Sequence, residues 1–99
     1  MVRPRCLRRV FSNPETTFFK PAGIKMSQLE EVVVSVDEFE AVRLKDFENL
    51  EQADCAKKMN ISQPTFHRLI VSARKKIAEA IVKGKAIKIH GGNFRLYSK

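Results

Sequence analysis

The chain has 99 residues, 43% of them hydrophobic, and a net charge of +8. That length suits one compact domain, 1–99, burying a little over ~60% of its unfolded surface, and that apolar fraction argues against global disorder. No apolar run approaches the ~18 residues of a membrane span, and none follows the early arginines, so neither a membrane segment nor a secretory leader is expected.

Residues 1–34 read as a basic extended arm with loops. Pro4, Pro14 and Pro21 and the aromatic pair Phe18-Phe19 suit irregular backbone, with a short strand at 7–11. Ser27 and Glu30 can cap a short helical turn; the β-branched run at 32–34 has no firm assignment. Ser35-Val36-Asp37-Glu38 is a capping box, in which the serine hydroxyl accepts a first-turn amide and Glu38 reaches back. Phe39, Val42, Leu44 and Phe47 then follow at near-helical spacing to about Glu48. Asp37, Glu38 and Glu40 are read as favouring the positive end of this helix.

A second helix fits 51–59, with Cys55, Ala56 and Met59 turned inward. Ser62 is a natural N-cap for a third, and Pro64 is tolerated in its first turn because early amides lack partners. Phe66, Leu69, Ile70, Ala73, Ile77 and Ile81 form one apolar stripe, opposite Arg68, Val71 and Lys75. Lys83-Gly84 is a stop, with Gly84 able to take a left-handed conformation. Residues 86–90 alternate as a short strand, ended by Gly91-Gly92. The expected fold is mainly α: a helix-turn-helix core at 35–83, with short strand or extended segments before it and a strand and tail at 84–99.

The helix-turn-helix expectation rests on spacing. Two short helices crossing over a tight turn need a small residue at the crossing and apolar residues on both sides. Cys55, Ala56, Met59, Ile61, Phe66 and Leu69 meet that demand. Asn60 takes the turn position more often given to Gly, and Asn tolerates positive φ better than most residues. The exposed face of the third helix then presents Ser62, Gln63, Thr65, His67, Arg68, Val71, Ser72, Arg74, Lys75 and Lys76, and no acidic residue interrupts 55–77. Gln63 can pair with adenine and Arg68 with guanine in the major groove, while Val71 can touch a thymine methyl. Ser62, Thr65 and the helix N-terminus can hold phosphates. Charge is divided to match. Residues 1–29 carry six Lys/Arg against one Glu, 30–54 two against nine Asp/Glu, and 55–99 eleven against one. That pattern predicts one face suited to polyanions and an acidic face that is not.

From the capping box to Val82 the chain resembles region four of bacterial sigma factors. Over its whole length it is similar to uncharacterised protein family 0251 (domain of unknown function 134), a group predicted to bind DNA. The residues carrying this resemblance include Phe19-Lys20-Pro21-Ala22-Gly23, Val36-Asp37-Glu38-Phe39-Glu40-Ala41-Val42-Arg43-Leu44, Ser62-Gln63-Pro64-Thr65-Phe66-His67-Arg68 and Gly91-Gly92-Asn93-Phe94. It implies DNA binding as the family's predicted activity and names no target.

Arg3, Arg5, Arg8 and Arg9 could form an arm entering the minor groove, or a solvated tail. Cys6, Cys55, His67 and His90 match no zinc spacing, so no metal is expected, and the cysteine usage suggests a reducing cytoplasm. Gly91-Gly92 reads as a turn. No nucleophile-and-base pair is legible, so neither an enzyme nor a cofactor is expected. The leading expectation is a transcriptional regulator bound to double-stranded DNA. An RNA-binding basic protein and a protein-interaction module, whose acidic 30–54 face docks a partner such as RNA polymerase, stand beside it. A homodimer is expected through segments outside 51–76, with 7–11 and 86–90 offering strand edges.

Overall fold

Residues with strand propensity are scattered along this sequence in runs too short to form a sheet from neighbours alone. In the computed structural model, which describes residues 7–97, those runs find one another across the chain. β1 (Arg8–Val10) and β2 (Phe18–Phe19) come first, a 3-10 turn covers Met26–Gln28, and β3 (Glu31–Val34) follows. Three helices come next: α1 (Val36–Val42), α2 (Gln52–Met59) and α3 (Gln63–Lys83). β4 (Ala86–Ile89) and β5 (Phe94–Leu96) complete the described chain.

β4 is the central strand of a three-stranded sheet, antiparallel to β2 and parallel to β3. Parallel neighbours need a crossover of a dozen or more residues, and the three helices supply it between β3 and β4. α3 packs against both of those strands. β1 pairs with β5 as a separate parallel ribbon. The protein is thus a small mixed α/β domain, which corrects the mainly-α expectation. The segments read as arm and tail are joined in a ladder, and 86–90 offers no free edge because it is paired on both sides.

Local signals act at the helix ends. Ser35 Oγ accepts from the Glu38 amide at 3.3 Å, and Glu38 Oε1 accepts from the Ser35 amide at 2.9 Å, closing the capping box. Asn60 ends α2 with φ 59°, and Gly84 ends α3 with φ 64°, both left-handed. α1, however, runs into a π-helical turn at Arg43–Phe47, where the Glu48 amide donates to the Arg43 carbonyl at 2.9 Å. That wider turn takes more residues per revolution, so Leu44 is buried while Phe47 is 84% exposed and leaves the expected stripe.

One apolar cluster, Ala41, Leu44, Cys55, Ala56, Met59, Phe66 and Ile70, lies among the helices. A second, Val10, Val36 and Ile89, joins α1 to both sheets, with Phe39, Ile87 and Phe94 packed on it. On α3 the stripe ends at buried Ala80; Ile81 is 74% exposed, one position away from where the spacing put it.

Candidate nucleic-acid interface

The α2–α3 junction is positioned by backbone as well as by packing. With Asn60 left-handed, the Ile61 amide donates to the Ala56 carbonyl at 3.0 Å. Ala56 and Phe66 are buried beneath the turn. Ser62 caps α3 through the Thr65 amide at 3.3 Å and donates its hydroxyl to Thr65 Oγ1 at 2.9 Å. Arg68 also donates to Thr65 Oγ1, at 3.2 Å, so a short polar chain runs along the first turns. His67 Nδ1 lies 3.1 Å from Gln52 Nε2, linking the two helices. Gln63, His67, Arg68, Val71, Arg74 and Lys75 are exposed, and Thr65, Ser72 and Lys76 are half-buried.

Three of the ten face residues are engaged from within. Glu38 is buried, and its carboxylate accepts from the Ser72 hydroxyl at 2.6 Å and from Lys76 Nζ at 2.9 Å. Burial pushes its pKa up, but the hydrogen bonds from Ser72, Lys76 and the Ser35 amide outweigh that and hold it below the ordinary value. Arg74 donates its Nε to Asp46 at 3.0 Å, and this bond depresses the Asp46 pKa while raising that of Arg74. Arg68 and Lys75 form no ion pair among the described residues.

The acidic segment is not the surface its composition suggests. Asp37 and Glu38 do stand in the first turn of α1, as expected, but together with Glu40 they are buried. Glu40 accepts from the Phe11 amide at 2.9 Å and from two guanidinium nitrogens of Arg43. Glu30 pairs with Lys85 and Glu48 with Arg43. Six of the nine carboxylates in 30–54 therefore neutralise the protein's own cations, leaving Glu31, Glu51 and Asp54 exposed.

Arg3 and Arg5 lie outside the described residues. Arg8 and Arg9 belong to β1, within the strand expected at 7–11, so these two of the four arginines lie in a paired strand rather than a solvated tail. Arg8 Nη1 is 3.5 Å from Asp37 Oδ2, and the Arg9 guanidinium sits 5.3 Å from the centroid of the Tyr97 ring. Gly91 and Gly92 form a turn docked on the start of α1, where the Val36 amide donates to the Gly91 carbonyl at 2.9 Å. Among the described residues no group of three or more His, Cys, Asp or Glu is placed to hold a metal ion. No described helix is long and apolar enough to cross a membrane. Residue-by-residue reading missed Glu38 as the tie between helices, and it missed Tyr97, whose ring lies beneath the guanidiniums of Arg9 and, from β5, Arg95. The only local trace of Arg95 and Tyr97 is the alternation in Phe94-Arg95-Leu96-Tyr97.

The family model described as "Protein of unknown function DUF134" matches residues 1–97. A UPF0251 protein of Caldanaerobacter subterraneus subsp. tengcongensis is 56% identical over 99 residues, covering 100% of this chain and 84% of that protein. One of Pelotomaculum thermopropionicum is 56% identical over 96 residues, 97% of this chain and 73% of its own. One of Syntrophomonas wolfei is 57% identical over 91 residues, covering 92% and 69%. No solved structure gives a significant match. With the whole fold inside the matched region, the chain belongs to the UPF0251 (DUF134) family.

Proposed function

We propose that this protein is a transcriptional regulator that binds double-stranded DNA, with α2 and α3 acting as a helix-turn-helix and the first turns of α3 entering the major groove. The observation carrying this reading is the face of α3 from Ser62 to Lys75: exposed in the main, with no acidic residue of its own, and led by a helix N-terminus. Gln63, Arg68 and Val71 supply chemistry for adenine, guanine and a thymine methyl. Ser62, Thr65 and Lys75 suit phosphates. Arg74 and Lys76 reach phosphate only by exchanging a carboxylate partner, so their contribution is smaller. Selection of bound sites from a pool of random duplexes tests this. One preferred sequence should emerge, and Arg68→Ala should relax it at one position by about 1–3 kcal/mol. Recovery of no duplex at all would reject the reading.

Two copies would double a reader that alone spans few base pairs. The surface supporting a homodimer is an apolar cleft of about 250 Å³ between the three-stranded sheet, α1 and α3, lined by Phe19, Val34, Phe39, Val42, Ile77 and Ile87 among others. Exposed Phe19, Phe47 and Ile81 border it, all outside 51–76.

A further inference from the structure

In the β1–β5 ribbon Arg9 stands directly opposite Arg95. Side chains alternate between faces along a strand. Val10 and Phe94 turn into the second apolar cluster, so Arg9 and Arg95 project together from the other face. Phe11 and Tyr97, each two residues further along, share that face, with ring centroids 5.8 Å apart. Strands lie ~4.8 Å apart, and like charges held opposite one another at that spacing repel.

The protein nevertheless concentrates these cations. Both guanidiniums lie against the Tyr97 ring, at 5.3 and 5.8 Å from its centroid. No carboxylate pairs with either among the described residues, and Arg9 Nε is buried without a hydrogen-bond partner. A ring face fixes guanidinium orientation and partly offsets the repulsion. What remains is a pair of oriented planar donors without an anion, which matches the geometry of phosphate oxygens.

The ribbon is also joined to α3 through the first turn of α1. Asp37 in the first turn of α1 takes Arg8 from β1, and the adjacent Glu38 takes Ser72 and Lys76 from α3. We infer that the outer face of the ribbon is a second DNA contact, in which Arg9 and Arg95 together hold one backbone phosphate of the duplex whose bases meet α3. This rests on the DNA-binding reading above. The Arg9 and Arg95 contact is independent of sequence; it adds affinity and fixes orientation.

The test measures binding of the full chain to a labelled duplex across a salt series, for wild type, the double variant Arg9→Gln/Arg95→Gln, and Lys75→Gln. Loss of one phosphate contact should lower the slope of log affinity against log salt by about 0.9 in the double variant, with about a tenfold loss of affinity. Relieving the like-charge pair should leave the melting temperature equal or higher. If the double variant keeps the wild-type slope while Lys75→Gln lowers it, the ribbon contact is wrong and the DNA-binding reading stands. Absence of duplex binding by wild type overturns both. A fall in melting temperature overturns the inference, because the arginines would then be holding the ribbon. So does an effect confined to single-stranded nucleic acid.

Discussion

Glu38 joins the N-terminus of α1 to the middle of α3, through the Ser35 amide, the Ser72 hydroxyl and Lys76 Nζ. Its pKa is lower folded than unfolded, so the unfolded chain binds the proton more tightly. The stability it contributes is therefore present above the ordinary glutamate range and lost as pH falls through that range and below. Asp46, depressed by Arg74, acts in the same direction. Glu38→Gln should cost about 2–3 kcal/mol at neutral pH. Melting temperatures across an acid series should converge with those of wild type as Glu38 protonates; parallel curves would show the carboxylate to be unimportant. Gly92 is a second single-residue constraint. Its φ is +103°, and a Cβ there would overlap the Asp37 carboxylate and come 2.8 Å from Ser35 Cβ. Gly91 is also at positive φ, but nothing lies within 4 Å of its added Cβ. Gly92→Ala should thus cost about 2–3 kcal/mol and Gly91→Ala about 1. Equal denaturation midpoints for the two variants would contradict the close approach.

The α2–α3 pair depends on a small side chain at its crossing. Ala56 is buried, its carbonyl accepts from the Ile61 amide, and Cys55, Met59 and Phe66 fill the space around it. Ala56→Glu introduces a charge with no partner at that point and should destabilise the protein by several kcal/mol. A thermal melt unchanged by this substitution would refute the packing of these helices. The π-helical turn after α1 has a different consequence: it carries Arg43 between Glu40 and Glu48, bonding at 2.8 and 2.9 Å, and releases Phe47 to the surface. The same element therefore closes an internal ion-pair network and exposes an aromatic side chain.

The whole molecule carries +8, and its cations are unequal. Duplex affinity should fall linearly in log–log against salt. Lys75→Gln should reduce that slope more than Lys76→Gln, because Lys76 is already neutralised by Glu38. Equal effects would mean that the Glu38 ion pair opens on binding. Assembly is tested by sedimentation equilibrium without DNA. The proposed dimer should sediment at twice 11.3 kDa, and Ile81→Glu should return it to monomer. A wild-type chain that stays at 11.3 kDa at tens of micromolar would rule the dimer out.

Features encoded within three or four residues are legible in the sequence. The Ser35 capping box, the Ser62 cap, left-handed Asn60 and Gly84, and burial of Cys55, Ala56 and Met59 all follow from hydrogen bonds and packing close in sequence. The exposed basic side of α3 follows from helical periodicity in the same way. The strands at 8–10 and 86–89 were legible in the short runs 7–11 and 86–90, but the sheets were not, because each strand draws its partners from far along the chain. Sequence likewise left open which carboxylate meets which cation: Asp37 and Arg8 are 29 positions apart, Glu38 and Lys76 38. At 80 and 81 either residue satisfied the helical period, and only the surface facing the end of α3 selected Ala80 for the interior. Local backbone chemistry set the helices and their ends. Long-range strand pairing and the burial of charge decided the sheets, the fate of the acidic segment, and the meeting of Arg9 with Arg95.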